Sequence, residues 1–179
     1  DEDSSTIRSE RFTYGASWQS QRERLQRIYS LDWQDERDYF EGETRKTQYL
    51  IPSAQWTRVE AKNRLNVLDG WRLSLTLRGA TEQLFSDSDF LQTLASAKYV
   101  HSFGRRMRAL ARVEVGTSVT SDFDQVPTSL RFYTGGDRSI RGYAYRSISP
   151  RNDNGEVEGA RNLIVSSLEV DYSFRANWR

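Results

Sequence analysis

The sequence predicts an all-β protein, an antiparallel up-and-down sheet of about seven strands of the kind found in transmembrane β-barrels. Apolar and polar residues alternate with a period of two through most of the 179 residues, which is the pattern of half-buried strands. Aromatic residues make up 12% of a chain whose mean hydropathy is only −0.78. No stretch of the sequence approaches the roughly 18 apolar residues that a membrane helix needs.

Five segments alternate clearly and predict one strand each. Their apolar positions are Phe12, Tyr14, Ala16 and Trp18, then Tyr29, Leu31 and Trp33, then Trp71, Leu73, Leu75 and Leu77, then Met107, Ala109, Ala111, Val113 and Val115, and finally Leu168, Val170, Tyr172 and Phe174. Two weaker strands are predicted over residues 48–59, interrupted by Pro52, and over residues 91–103. Residues 176–179 resemble the start of an eighth strand.

The predicted connections differ in length between the two ends of the strands. Residues 19–25 and 104–105 form short connections, whereas residues 36–45, 85–90 and 123–161 form longer ones. In an up-and-down sheet the long connections all lie at one end. Short turns at one end and long loops at the other are typical of outer-membrane barrels.

Alternation alone fits a soluble sandwich or a lipocalin-like barrel equally well. Three features favour the membrane barrel. The predicted strands have about 10–14 residues, against a usual 5–6. Aromatic residues lie near predicted strand ends, as in interfacial girdles: Trp18, Tyr39, Phe40, Trp71, Phe85 and Trp178. Charged residues lie along the polar face, where a lumen or a solvated surface accepts them: Arg72, Arg78, Arg108, Arg112, Glu114, Glu169 and Asp171.

Composition argues against several classes of function. The 26 basic and 25 acidic residues give a net charge of +1, without the basic excess of a nucleic-acid binder. The chain has no cysteine and one histidine, His101, which excludes thiolate chemistry and zinc sites built on several imidazoles. We expect His101 to be an interfacial or lipid-facing residue. The sequence predicts no catalytic, cofactor-binding or metal site, and therefore a protein that is not an enzyme.

The long connection, residues 123–161, carries the most specific sequence pattern. Its centre contains Ile140-Arg141-Gly142-Tyr143, preceded by the pair Gly135-Gly136. Flanking strings are Pro-Thr-Ser-Leu-Arg-Phe over residues 127–132 and Tyr-Arg-Ser-Ile-Ser-Pro over residues 145–150. Together they resemble the signature loop of the outer-membrane assembly and translocation barrels, the BamA/TamA superfamily with its bacterial surface antigen domain. The extended string looks most like the TamA branch.

This resemblance implies a 16-stranded barrel whose signature loop is extracellular and folds back into the lumen. Residues 1–179 would form a partial barrel domain, about strands six to twelve of the whole, with the signature loop at residues 123–161. We expect a longer parent chain with N-terminal periplasmic repeats and final strands that are absent here. An isolated seven-stranded sheet would leave backbone groups unpaired in lipid, which supports this expectation.

The resemblance also implies which loop residues matter. Arg141 would hold the loop to the lumen wall through bidentate bonds to a carboxylate, and Glu169 is the candidate partner within this chain. The glycines would permit tight turns, and Tyr143 would pack on the wall. The predicted loop-motif residues are Gly135, Gly136, Asp137, Arg138, Arg141, Gly142 and Tyr143. Their role would be structural pinning.

The implied function is part of a translocation or assembly factor of the bacterial outer membrane that inserts or secretes autotransporter-like proteins. Its implied partners are outer-membrane lipid, client outer-membrane proteins, and an inner-membrane or periplasmic protein reached through the N-terminal domains. No nucleic acid and no cofactor are implied. The alternatives are a two-partner secretion transporter, a general outer-membrane assembly barrel, the barrel of a patatin-like lipase fusion, and a soluble ligand-binding β domain.

Overall fold

The computed structural model describes residues 8–40, 43–61, 68–104, 106–136, 140, 142–144, 146–151 and 157–174. They form one antiparallel sheet in which every strand pairs with its neighbours in the chain. Its strands are β1 (Arg8–Arg22), β2 (Leu25–Phe40), β3 (Glu43–Ala61), β4 (Gly70–Ala80), β5 (Phe90–Phe103), β6 (Met107–Thr120) and β7 (Asn162–Tyr172). The up-and-down all-β prediction is therefore confirmed. The predicted start of an eighth strand, with Trp178, lies outside the described residues.

In the described part of the chain, helical structure is confined to two single turns, Glu82–Leu84 and Thr128–Leu130, both in connections. Within the described ranges, no helix has the length and apolar character to cross a membrane.

The sheet has two faces of opposite character. The apolar face carries large exposed side chains, among them Ile164 at 78% and Leu168 at 73% exposure. Register places the neighbouring strands' apolar positions beside them, for example Val115 opposite Ile164. The polar face carries the alternate positions, including Glu36, Arg72, Gln92, Arg112 and Glu169. An apolar patch of this size needs an apolar environment outside the chain.

The predicted loop over residues 36–45 is wrong. Strands β2 and β3 continue to pair as far as Phe40 and Glu43, so only residues 41–42 connect them. Beyond Trp33 the residues on both faces are mostly polar, so the alternation that indicates a strand disappears although the ladder continues.

The predicted interruption at Pro52 is also wrong, because β3 runs through it. The amides of Gln48 and Leu50 point toward the β4–β5 connection, donating to Asp87 Oδ2 at 2.6 Å and to Ser86 Oγ at 3.0 Å. The nitrogen of Pro52 faces the same side, since amide direction alternates along a strand. The ladder with β4 begins only at Ser53, so the proline removes no ladder bond.

The connections alternate between the two ends of the sheet, but their lengths follow the prediction only in part. Two residues, 41–42, join β2 and β3 at the long-loop end, and eight residues, 62–69, join β3 and β4 at the short-turn end. The short-turn end holds Glu23–Arg24, residues 62–69 and the turn at Gly104, where positive φ values of 54° at Glu23 and 70° at Gly104 reverse the chain. The long-loop end holds residues 41–42, residues 81–89 and the loop between β6 and β7.

Aromatic side chains form a slanted line across the apolar face near the short-turn end. This aromatic belt consists of Trp18, Tyr29, Trp56, Trp71, Tyr99, Phe103 and Tyr172. Trp18 stacks on Tyr29 at 5.8 Å, and Tyr29 meets Trp56 edge-on at 6.1 Å. From β1 to β7 the belt shifts by about ten residues along the ladder, which at ~3.3 Å per residue and ~4.8 Å per strand is a slope of roughly 50°. Strands tilted near 45° would hold the belt level in a bilayer.

Candidate functional site

The signature loop folds back over the polar face of the sheet near the long-loop end. Phe123, Val126 and Leu130 of the loop are buried against strand residues that the polar face presents. The resulting apolar cluster contains Tyr49, Ile51, Phe90, Phe123, Val126 and Leu130, with Ala80 packed against it. This cluster is the principal apolar core among the described residues, so burial of the loop is also the main apolar packing on this face.

A buried carboxylate on β2 anchors the start of the loop. Glu36 is 1% exposed. Its Oε1 accepts from the hydroxyl of Thr128 at 2.9 Å and the amide of Ser129 at 3.3 Å. Its Oε2 accepts from the hydroxyl of Ser129 at 2.5 Å and from Gln34 Nε2 at 2.7 Å. Hydrogen bonds to a charged acceptor are stronger than neutral ones, so Glu36 is a firm attachment point.

A second attachment point is the carbonyl of Leu130. Gln92 Nε2 on β5 donates to this oxygen at 2.7 Å and to Ser118 Oγ on β6 at 2.6 Å. Arg78 on β4 fixes the same amide by donating to Gln92 Oε1 at 2.6 Å. Three neighbouring strands thus hold one loop carbonyl.

A third attachment joins the loop to the connection between β4 and β5. The hydroxyl of Tyr49, which is fully buried, donates to the carbonyl of Gln125 at 2.7 Å. The hydroxyl oxygen of Tyr49 also lies 2.7 Å from the hydroxyl oxygen of Ser88. The Tyr49 hydroxyl therefore links β3, the 81–89 connection and the signature loop.

Arg131 organises the loop internally and is only 9% exposed. Its Nε donates to the carbonyl of Val126, and its Nη2 donates to the carbonyls of Phe123 and Asp124, at 2.9–3.1 Å. Its Nη1 donates to the carbonyl of Glu158 at 3.2 Å and lies 3.4 Å from that residue's carboxylate. Since guanidinium carries five N–H donors, Arg131 uses its full capacity to join the two ends of the loop.

Phe132 of the loop packs closely against the backbone of Gly116 in β6. A Cβ placed on Gly116 would lie 2.5 Å from Phe132 Cζ, so the aromatic ring rests on bare backbone. Phe132 also pairs with Ala160 through two backbone hydrogen bonds of 3.1 and 2.8 Å. The absence of a side chain at Gly116 therefore sets how deep the loop sits.

The tip of the loop contains the motif that the sequence singles out. Gly135, Gly136 and Gly142 have φ values of 108°, 93° and 89°, and the amide of Gly136 donates to the carbonyl of Tyr143 at 3.0 Å. The ring of Tyr143 is 59% exposed, and its packing on a wall stays a prediction.

Asp137, Arg138 and Arg141 lie outside the described residues. Glu169, the partner predicted for Arg141, lies on the polar face and accepts from Arg112 Nη2 at 2.6 Å. The contact between Arg141 and Glu169 therefore stays a prediction.

The remaining ionisable residues singled out by sequence lie apart from the loop attachments. His101 lies on the apolar face with its Nδ1 2.7 Å from Asp69 Oδ1, between Tyr99 and Phe103. Across the part of the chain that the structure describes, no three His, Asp or Glu side chains cluster to hold a metal ion. The contacts of the described side chains hold the loop on the sheet. We therefore interpret the site as structural.

Sequence reasoning missed Glu36 because it assigned that residue to a loop. The signal was present, since Ser30, Asp32, Gln34 and Glu36 continue one polar face in steps of two. Arg131 lies in the string over residues 127–132, but nothing in that string marks it as a site residue. Its five acceptors are mostly backbone carbonyls, which no sequence pattern reveals.

Comparison with known proteins adds a family to this geometry. Residues 5–178 match the family model described as the Omp85 superfamily domain. Half of the chain, 90 residues, is 31% identical to the outer membrane protein assembly factor BamA of Nitratidesulfovibrio vulgaris strain Hildenborough. The aligned part covers 11% of that relative, so the chain matches about a tenth of its length.

Proposed function

The chain belongs to the Omp85 superfamily, and we propose that it forms part of the wall of an outer-membrane barrel that assembles or translocates other proteins. Its location is the bacterial outer membrane, in agreement with the large exposed apolar face and the aromatic belt. This location contradicts the alternative of a soluble ligand-binding domain. Residues 1–179 contribute seven strands and the signature loop of a barrel that we propose has 16 strands.

The observation that carries the mechanistic part of the proposal is the attachment of the loop to Glu36. The loop is bound to β2, β4, β5 and β6 at once, through Glu36, Arg78, Gln92 and Gly116. Such a brace fixes the curvature of the wall and keeps the loop out of the solvent at the long-loop end. We propose that Arg141 adds a further attachment to an acidic residue of the wall, with Glu169 as the candidate.

The client class is the finer part of the proposal. The string over residues 127–150 resembles the TamA branch, which supports autotransporter-like clients. The relative from Nitratidesulfovibrio vulgaris is named an outer membrane protein assembly factor, which supports a general assembly role as the second candidate. We further propose that the protein contacts a periplasmic or inner-membrane partner and uses no cofactor and no nucleic acid.

Reconstitution of the intact protein into liposomes tests the proposal. Insertion of an autotransporter barrel and of an unrelated outer-membrane barrel would be followed by protection from added protease. We expect the protein to accelerate insertion of the autotransporter more than that of the other barrel. Equal acceleration of both supports the general assembly role, and acceleration of neither contradicts the proposed function.

A further inference from the structure

Basic side chains gather on the apolar face immediately beyond the aromatic belt, toward the short-turn end. Arg27 lies directly opposite Trp56 and two residues beyond Tyr29 of the belt. Arg58 lies two residues beyond Trp56, with its guanidinium 5.5 Å from the ring centre of Trp71. Arg22 is the last residue of the neighbouring strand β1, and Arg24 lies in the turn between β1 and β2. These four arginines lie at the depth where lipid headgroups would meet a barrel whose belt marks the interface.

Acidic residues near these arginines do not balance them. Glu60 contacts Arg24 Nη1 at 3.0 Å and Arg58 Nη2 at 2.9 Å, and Glu23 is the only other carboxylate on this turn. Arg27 forms no ion pair with any residue that the structure describes. The cluster therefore keeps a net positive charge, and Glu60 with Trp71 holds Arg58 in place without neutralising the group.

An apolar groove begins at Arg58 and runs along the apolar face across β4, β5 and β6. It has a volume of about 400 Å³ and is lined by Trp56, Leu73, Leu75, Ala95, Ala97, Val113 and Val115, with Leu25 and Arg58 at its mouth. Ala95 and Ala97 make its floor, since their neighbours in the register carry larger side chains. Leu73 lies level with the aromatic belt. Val115 lies about six residues from the belt toward the long-loop end. The groove therefore slants from the interface into the hydrocarbon region of the membrane.

We propose that this groove and the arginine cluster form a binding site for one anionic glycerophospholipid. An acyl chain occupies the groove over Ala95 and Ala97, and the phosphodiester lies against Arg27 and Arg58 at its mouth. Guanidinium groups bind phosphate oxygens through paired N–H donors, which suits them to this headgroup. A zwitterionic lipid satisfies the groove equally well but gains less from the net positive cluster. The lipid comes from the leaflet at the short-turn end.

Native mass spectrometry of the intact protein in detergent tests this site. The probes are phosphatidylglycerol, phosphatidylethanolamine with the same acyl chains, and glycerophosphoglycerol, which is the headgroup without chains. We expect one phosphatidylglycerol to bind at least about tenfold more tightly than phosphatidylethanolamine, from the attraction of two arginines. The chainless headgroup should bind far more weakly than the lipid.

Two sets of variants separate the parts of the site. Arg27→Gln with Arg58→Gln should abolish the preference for phosphatidylglycerol, and Ala97→Leu should fill the groove and weaken both lipids. Lys98→Gln is the matched control for the loss of a positive charge. Lys98 follows Ala97 of the groove in the sequence, but its side chain lies on the opposite, polar face of the sheet. The mobility shift on boiling reports that each variant is folded.

The proposal is overturned if both lipids bind equally, or if Lys98→Gln lowers binding as much as the arginine variants. It is also overturned if the chainless headgroup competes as well as the lipid, since the groove would then contribute nothing. Because this readout is lipid binding, it is independent of whether the protein assembles autotransporters or other clients.

Discussion

The carboxylate of Glu36 binds both the amide and the hydroxyl of Ser129, although 93 positions separate the two residues. Glu36 belongs to the wall and Ser129 to the start of the loop, so this contact closes a very long chain segment. Closing such a segment costs conformational entropy, which the buried, charge-assisted hydrogen bonds offset. The loop is therefore a structural part of the wall.

The first prediction concerns Glu36. Replacement by alanine removes this carboxylate as the acceptor for the hydroxyls of Thr128 and Ser129 inside a buried cluster, and Gln34 Nε2 keeps only its bond to Ser129 Oγ. We expect the free energy of loop opening to fall by about 2–3 kcal/mol. Hydrogen exchange of the amides over residues 123–136 measures it. Glu114→Ala is the control, because Glu114 is an exposed carboxylate of the same face. Equal protection in both variants would contradict the anchoring role.

The second prediction concerns Arg131. Lysine keeps the charge but offers three donors on a flexible stem, so it cannot satisfy the carbonyls of Phe123, Val126 and Glu158 together. Arg131→Lys should lower the loop's opening free energy by about 2 kcal/mol, with the strands intact. Arg72→Lys, at an exposed position of the polar face, should change nothing. Loop protection unchanged in Arg131→Lys would show that the charge alone suffices.

The third prediction concerns the contact between Gly116 and Phe132. A methyl group at position 116 would overlap the ring, so Gly116→Ala should destabilise the loop by about 1–3 kcal/mol. Phe132→Leu removes the overlapping ring atoms, and the double variant should recover part of the loss. A double-mutant cycle in denaturant measures the coupling. Additive losses would mean that the two residues do not meet.

The fourth prediction concerns pH and the 81–89 connection. The hydroxyl of Thr81 and the amide of Glu82, at 2.9 Å, hold the pKa of Asp89 below its usual 3.8. Because the folded pKa is the lower one, the contribution of Asp89 is complete above the usual value and is lost as the pH falls through the lowered value. The protection factors of the amides of residues 82–85, which are corrected for the intrinsic pH dependence of exchange, should therefore be unchanged down to pH 5 and fall at pH values below the usual range. Asp89→Asn should remove this pH dependence, and an identical profile in that variant would contradict the assignment.

The fifth prediction concerns Arg141, whose attachment rests on the family resemblance. Arg141→Ala in the intact barrel should leave the strands formed and increase protease cleavage across residues 125–160. Boiling-induced mobility shift reports that the barrel itself is intact. Cleavage at the rate of the parent protein would rule out a pinning role for this arginine.

The strands could be predicted from sequence because burial on one face imposes a period of two, as in Leu73, Leu75 and Leu77. Beyond Trp33 the period of two gives no signal, because the side chains that β2 buries there, Gln34 and Glu36, are polar. The sequence also predicts a break at Pro52, because the direction of each backbone amide is a property of the register rather than of the residue.

The site was only partly predictable for a similar reason. A sequence string identified the loop and its tip, including Gly135 and Gly142, whose φ values are positive. The string could not identify Glu36 or Gln92 as anchors. Which strand residues contact the loop depends on its position on the sheet, and that position is a property of the folded structure. The sequence does not identify the buried Arg131 as a site residue, because its partners are mostly backbone atoms.

The central claim is that the signature loop is held on the polar face by the wall of the sheet. Residues 1–179 contain no cysteine, so Gln34→Cys with Ser129→Cys introduces one pair of thiols into this part of the protein, at side chains now 2.7 Å apart. A short bifunctional thiol reagent applied to outer membranes should cross-link this pair at least about tenfold faster than a control pair at Gln34 and Ile140. Cross-linking no faster than the control would contradict the claim, because the loop would then lie away from β2.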